Sequence, residues 1–257
     1  MKIVITAGYD NSDYAIGLCE ILKKSGHNIE TVIVVTPYSL KRLKFMLKQR
    51  GFDGLKKLIN KLLSNRTAEG KLNLLRKFLI EKGITFSSLK KWCRANESKY
   101  ILVDDLNSEK SINSIKYANS DVVVYAGGGI LKKAFIKEAN YKIINNHSGP
   151  LPEIRGMNAL EWSILLGYKP SCSIHFIDEG IDTGNLICIK EIPVAKDDNI
   201  ETLRDKLIIQ GLIEIERLFY GIKNISDLQQ EKYKSNIEYR QCYIMAPALR
   251  QLVSKKF

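Results

Sequence analysis

Segments with the hydrophobic pattern of a strand and segments with that of a helix follow one another along this chain. A short apolar run at residues 3–6 is followed by helical spacing of apolar residues from about 13 to 25, which Gly26 ends. A Val- and Ile-rich run follows at residues 30–36. Strand, helix and strand in this order predict a right-handed βαβ unit at the start of the chain.

Apolar residues at helical spacing, with Lys and Arg between them, continue through the next part of the chain. They predict helices within residues 39–65, at about 71–82 and at about 87–97. We expect this basic region, residues 38–99, to be a helical insertion in the fold.

Strand and helix patterns alternate again after residue 100. Strands are predicted at 100–103, 121–126, 142–145, 172–177 and 185–193, and helices at 107–118, 130–139, 158–167 and 199–221. The 121–126 run is apolar enough to be central in a parallel sheet. The pattern predicts an α/β fold, Rossmann-like, with a mostly parallel sheet and helices on both faces. It favours one main domain at 1–221, which includes the insertion, and a C-terminal extension at 222–257.

Composition narrows the class of protein. The chain of 257 residues is 45% hydrophobic, and no uninterrupted apolar run approaches the length of a membrane span. The N-terminal apolar run has no small-residue cleavage site and is typical of a first strand. The five cysteines are widely spaced, without a CxxC pair, which favours free thiols in a reducing cytoplasm.

The positive charge is concentrated in one segment. Residues 38–99 hold 17 Lys and Arg against 4 Asp and Glu, a net +13, whereas the remaining residues hold 23 against 24, a net −1. Such a segment indicates an anionic neighbour or a well-solvated helical surface. Its aromatic residues do not interleave with the basic ones as a stacking platform for nucleic acid would.

Candidate chemistry follows two of the predicted strands. Asn145 and His147 lie at the end of the 142–145 strand, and residues two apart in an extended segment point the same way. Asp182 lies in a Gly-bounded turn after the 172–177 strand. An imidazole that moves a proton, a carboxylate that orients it and an amide that holds a developing oxyanion form a chemically coherent set.

These residues also carry a family resemblance. The spacing resembles that of the formyltetrahydrofolate-dependent formyltransferases at Asn145, His147, Pro152, Arg155, Gly156, His175, Asp182 and Gly184. The resemblance covers residues 100–220 well and the first 36 loosely. It implies that Asn145, His147 and Asp182 are the catalytic trio. One departure is Gly149, where the family usually has Ser.

The resemblance further implies where ligands bind. The pterin of the donor would lie against Gly127, Gly128, Gly129 and Ile130, and against Asp178, Glu179, Gly180 and Ile181. The glycines would otherwise be a flexible connection after a strand. Arg155 and Gly156 are candidates for binding the acceptor, although Arg155 could instead bond carbonyls of its own loop. His175 either packs in its strand or supports Asp182.

The expected activity is formyl transfer from formyltetrahydrofolate to a primary amine, without a metal, since the three histidines lie far apart and no HExxH is present. The length is most similar to that of sugar N-formyltransferases, so we expect an anionic small-molecule acceptor, a nucleotide-linked amino sugar. Two other acceptors remain open, glycinamide ribonucleotide and methionyl-tRNA. A further alternative is a protein of the same fold that is not an enzyme and binds RNA or another polyanion. The sequence predicts no membrane association and leaves a homodimer open.

Overall fold

The predicted βαβ unit opens the fold. In this computed structural model, which describes residues 1–36, 73–230 and 240–255, it consists of β1 (Lys2–Ala7), α1 (Asp13–Lys24) and β2 (Asn28–Val35). Ser12 caps α1 by accepting a hydrogen bond from Ala15 N, and Gly26 follows the helix with a positive φ. The helices predicted at 39–65 lie outside the described residues.

The remaining elements follow the predicted alternation. They are α2 (Leu74–Glu81), α3 (Leu89–Ala95), β3 (Lys99–Val103), α4 (Glu109–Ala118), β4 (Val122–Ala126), α5 (Lys133–Glu138), β5 (Ile143–His147), β6 (Ile154–Gly156), α6 (Ala159–Leu165), β7 (Ser171–Phe176), β8 (Leu186–Glu191), α7 (Ile200–Phe219), β9 (Arg240–Cys242) and α8 (Pro247–Ser254). A short 3₁₀ turn lies at Ile225–Asp227.

The main sheet has seven strands in the order β3-β2-β1-β4-β5-β7-β8. The pairs from β3 to β5 are parallel, and β7 and β8 extend the sheet in antiparallel fashion. The chain adds β2 and β3 on one side of β1 and then crosses to β4 on its other side, so the strand order reverses between the neighbours β1 and β4. Open α/β sheets bind ligands beside such a switch point, at the carboxyl ends of the strands.

Both faces of the sheet are covered by helices, as predicted. Side chains alternate along β1, so that Ile3 and Ile5 pack with α1, α2, α3 and α7, and Val4 packs with α4 and α5 on the opposite face. The described part of the basic segment contributes Leu79 and Trp92 to the first of these cores, both fully buried. The fold class is therefore confirmed: an α/β fold with a mostly parallel sheet.

Two element boundaries differ from the prediction for identifiable reasons. The helix expected at 130–139 begins only at Lys133, because the Asn107 side chain bonds Ile130 O and Lys132 N at 2.9 and 2.6 Å. The strand expected at 142–145 continues to His147, because β7 pairs with it from Ile144 to His147. His147 is thus held by a sheet ladder as well as by its loop.

The described C-terminal residues pack on the loop that follows β5. β9 pairs in parallel with β6 in a separate two-stranded sheet, in which Gly156 lies opposite Cys242. Residues of α8 share a small core with α6, since Val253 is buried there with Leu160. Among the described residues, no helix has the length and apolar character needed to span a membrane.

Candidate active site

Asn145 and His175 meet across the pairing of β5 with β7. The antiparallel register places them opposite each other, and Asn145 Nδ2 donates a hydrogen bond to His175 Nε2 at 3.0 Å. His175 Nδ1 donates to the carbonyl of Phe176 at 2.7 Å, so Nε2 of a neutral ring is left as the acceptor. The amide of Asn145 is thereby oriented, and its second N–H stays available to another acceptor.

His175 is held neutral by its surroundings. The side chain is fully buried, and loss of hydration lowers the pKa of His175 to about 4. The Asp182 carboxylate opposes this shift, whereas His147 adds to it. A neutral imidazole at this position can accept from Asn145 at neutral pH, which a protonated ring could not do.

Asp182 lies between the two histidines. Its Oδ2 accepts a hydrogen bond from Gly156 N at 2.8 Å and lies 3.4 Å from His147 Nδ1. Its Oδ1 lies 3.6 Å from His175 Nε2. The backbone of Asp182 has φ +52°, a left-handed conformation that Asp tolerates better than most residues. The turn therefore aims the carboxylate back at the end of β5.

The imidazole of His147 is 7% exposed and faces an oxygen on each side. Nε2 lies 2.8 Å from the carbonyl of Ile154, to which it donates, and Nδ1 faces Asp182. Two oxygen acceptors satisfy both N–H groups of an imidazolium. The structure therefore brings Asn145, His147 and Asp182 together in one polar cluster beside His175.

Gly149, the departure from the family pattern, is explained by close packing. A Cβ at this position would lie 2.9 Å from the Ala159 Cβ and 3.2 Å from His147 Nε2. Ser173, which the sequence reasoning missed, holds this loop instead: its hydroxyl donates to Gly149 O at 2.7 Å and accepts from Leu151 N at 3.1 Å. Its position two residues before His175, on the same face of β7, was the available signal.

The glycine loop after β4 lies at the switch point of the sheet. Thr6 Oγ1 donates to Gly127 O at 3.2 Å and Tyr125 OH donates to Gly129 O at 2.8 Å. Gly128 has φ +129°, and a Cβ there would lie 2.5 Å from Leu106 Cδ1, so glycine is required. Ile130 is 71% exposed at the end of this loop.

The second predicted donor loop, residues 178–181, is tied to α5. Glu179 accepts from Lys133 Nζ at 2.7 Å and from Tyr141 OH at 2.8 Å, and both contacts lower the pKa of the Glu179 carboxyl. Asp178 accepts from Gly180 N at 3.0 Å and from Thr183 Oγ1, which closes the turn. Since α5 begins just after the glycine loop, both predicted donor segments are connected through Glu179.

A cleft of about 340 Å³ opens beside His147 and is lined in part by Gly156, Glu161, Arg204 and Ile208. Glu161 is buried and accepts from Asn158 Nδ2 at 3.1 Å and from Arg204 Nη2. Gly156 thus borders the cleft, whereas Arg155, paired with Gln241 in the small sheet, is not part of its described lining.

A second cleft, of about 390 Å³, lies near the opposite end of β5. It is lined in part by Tyr141, Phe176, Asp178 and Ile225, and none of the candidate trio borders it. Among the described residues, no three His, Cys, Asp or Glu side chains are grouped to hold a metal ion. The chemistry that the geometry supports is therefore concentrated at the polar cluster and the smaller cleft.

Comparisons with known proteins place this architecture among formyltransferases. A relative is the methionyl-tRNA formyltransferase of Prochlorococcus marinus subsp. pastoris, 30% identical over 233 residues, 90% of this chain and 57% of that protein. The chain spans about half the length of the curated relatives that it matches, 42% for the methionyl-tRNA formyltransferase of Finegoldia magna.

Solved structures share the fold. The phosphoribosylglycinamide formyltransferase of Anaplasma phagocytophilum superposes with a TM-score of 0.58 at 17% identity, covering 94% of this chain and 99% of that one. WlaRD, a sugar 3N-formyltransferase crystallised in the presence of dTDP and 5-N-formyl-THF, superposes at 0.55 with 19% identity, covering 94% and 69%.

The family model described as formyl transferase matches residues 81–213, which is 133 of the 257 residues and includes Asn145, His147, His175 and Asp182. The chain therefore belongs to the formyl transferase family.

Proposed function

We propose that this protein transfers the formyl group of formyltetrahydrofolate to a primary amine. The observation that carries the proposal is the convergence of Asn145, His147 and Asp182 at the end of β5 in a member of the formyl transferase family. The donor would place its pterin between the loop of residues 127–130 and the loop of residues 178–181, which are connected through Glu179. Its formyl carbon would then face the trio.

The proposed reaction is direct. The neutral amine attacks the formyl carbon, a new C–N bond forms, and the carbonyl oxygen becomes an oxyanion. The free N–H of Asn145 donates to that oxygen, and His147 Nε2–H turns to it from the Ile154 carbonyl. The bond to the folate nitrogen then breaks, the amine loses a proton, and the folate nitrogen gains one through His147, whose charge Asp182 balances.

The cleft beside His147 is the proposed acceptor site. Arg204, whose side chain is 45% exposed and pairs with Glu161, presents a guanidinium group at its wall, and Ile208 offers an apolar surface. A nucleotide-linked amino sugar combines an amine, a ring and a diphosphate, which suits such a lining. Methionyl-tRNA, the acceptor in the names of the curated relatives, is the second candidate, supported by 30% identity along 233 residues.

An acceptor panel tests the proposal. Formyltetrahydrofolate is mixed with the protein and, in turn, dTDP- and UDP-linked amino sugars, glycinamide ribonucleotide and methionyl-tRNA, and tetrahydrofolate release is recorded. We expect turnover with one acceptor class, abolished in a protein that carries Asn145→Ala. Release that is equal with and without every acceptor contradicts formyl transfer to an amine.

A further inference from the structure

The C-terminal residues 240–255 pack against the loop that carries part of the candidate site. Gly156 pairs with Cys242 in the small sheet, and Met157 N donates to Cys242 O at 2.9 Å. Gly156 has φ +96°, and a Cβ there would collide with the Cys242 carbonyl. On its other side, Gly156 N donates to Asp182 Oδ2 at 2.8 Å. One peptide therefore lies between β9 and the carboxylate of the trio.

Asn158 joins the same segment to the wall of the cleft. Its Oδ1 accepts from Met245 N at 3.1 Å and from Arg250 Nη2 at 2.9 Å, both in the C-terminal residues. Its Nδ2 donates to Glu161, which also pairs with Arg204. The backbone of Asn158 has φ +54°, which only a few residue types adopt readily. The side-chain oxygen of Asn158 therefore bonds the C-terminal residues, and its nitrogen bonds Glu161 in the lining of the cleft.

We propose that Asn158 is a positioning residue, through which Arg250 and the C-terminal segment hold the Gly156 peptide against Asp182 and hold Glu161 and Arg204 at the acceptor cleft. The proposal rests on the proposed function for its effect on turnover. Asn158 borders the cleft, and its side-chain hydrogen-bond partners, Glu161, Met245 and Arg250, include no member of the trio. The effect of Asn158 and Arg250 is to fix the position of the Asp182 carboxylate relative to the wall of the cleft. Small displacements of positioned groups lower reaction rates by large factors.

Two substitutions break this connection at its two ends. Asn158→Gly removes both amide contacts and keeps a residue that accepts the left-handed backbone. Arg250→Met keeps most of the side-chain stem and removes one contact to Asn158. Arg250 Nε is buried and has no hydrogen-bond partner among the described residues, so removing this nitrogen leaves no other polar group without a partner. The matched control is Trp162→Phe, which removes the 2.9 Å bond from Trp162 Nε1 to Tyr243 O in the same segment and leaves the side-chain hydrogen bonds of Asn158 in place.

The first measurement is steady-state formyl transfer. We expect Asn158→Gly and Arg250→Met to lower kcat about tenfold and to leave the donor KM within about twofold, whereas Trp162→Phe keeps kcat within about twofold. Equal losses of kcat in all three proteins, or unchanged kcat in both variants, overturn the positioning role.

The second measurement is independent of activity. Hydrogen exchange followed by mass spectrometry should be faster in both variants, and not in Trp162→Phe, in peptides that cover residues 154–158 and 178–184. If the wild-type protein transfers formyl to no acceptor, the proposed function fails, and this exchange result still decides the positioning proposal. Unchanged exchange in the 178–184 peptide contradicts it.

Discussion

At the scale of single residues, the two histidines of the site differ in what they face. His147 faces two oxygens, of Ile154 and Asp182, whereas the buried His175 faces a carbonyl and the N–H of Asn145. The two identical side chains therefore have different hydrogen-bonding partners, although both lie beside Asp182. The sequence predicted both positions but left the role of His175 open, because the partner of Asn145 depends on how β5 pairs with β7.

The neutral state of His175 has a consequence for stability. Its pKa of about 4 lies below the unfolded value of 6.5, so the unfolded chain binds a proton first as the pH falls. This contribution is complete above pH 6.5 and is lost toward pH 4, by up to about 3 kcal/mol. Urea unfolding at pH 7 and pH 4.5 should therefore show a steeper pH dependence for wild type than for His175→Gln. Parallel dependences in the two proteins would exclude this histidine as the cause.

The proposed chemistry predicts that substitutions at His147 and Asp182 lower turnover without unfolding the protein. His147→Ala and Asp182→Asn should each lower turnover at least about a hundredfold, the usual worth of an acid–base or oxyanion group, while the protein stays folded. Formyl transfer assays and circular dichroism check this. Near-normal turnover in both folded variants would falsify their assigned roles.

At the scale of elements, strands and the loops after them share the candidate site: Asn145 and His147 lie in β5, and Asp182 lies in the loop after β7. Gly128 is required because Leu106 packs where a Cβ would lie, and the sequence pointed to that loop through three consecutive glycines. The late start of α5 was not predictable from apolar spacing, since it depends on bonds from the distant Asn107 side chain. Local patterns thus identified these elements, and tertiary contacts set their ends.

Glu179 gives a test of the loop that it ties to α5. Glu179→Gln should weaken the contacts with Lys133 and Tyr141 and raise the donor KM up to about fivefold at low salt, with kcat unchanged, because an exposed ion pair contributes little free energy and is screened by salt. The matched control is Glu191→Gln, which breaks a similar exposed pair with Lys169, 2.9 Å apart, away from both predicted donor loops. The same change of KM in both variants would assign the effect to general charge.

At the scale of the whole molecule, the strand pattern predicted the sheet but not all of its pairings. An apolar run such as β4 indicates a buried strand. The antiparallel direction of β7 depends instead on the edge of the sheet at which the chain re-enters it, which an apolar run does not show. The pairing of β6 with β9 was missed, since three-residue strands show too few positions for a period and their partner is distant in the chain. Gly156 was therefore predicted as a binding residue without its contact to Cys242.

Binding of the donor should stabilise the entire fold. A ligand at a hundredfold excess over its Kd adds about 2.7 kcal/mol, which raises Tm by about 5–10 °C for a chain of this size. Thermal unfolding with 5-formyltetrahydrofolate should show this shift, and p-aminobenzoylglutamate, which lacks the pterin, should give a smaller one. Equal shifts with both compounds would place the binding energy outside the pterin.

The pairing of β6 with β9 also orders events during synthesis. Chains fold progressively as they leave the ribosome, and the pairing of β1 to β5 with one another needs no residue beyond His147. The peptide that contacts Asp182 acquires its partner strand only when residues 240–242 emerge. A nascent chain stalled before that point would carry a formed sheet and an incomplete candidate site, so the proposed activity would require residues 240–242 to have been synthesised.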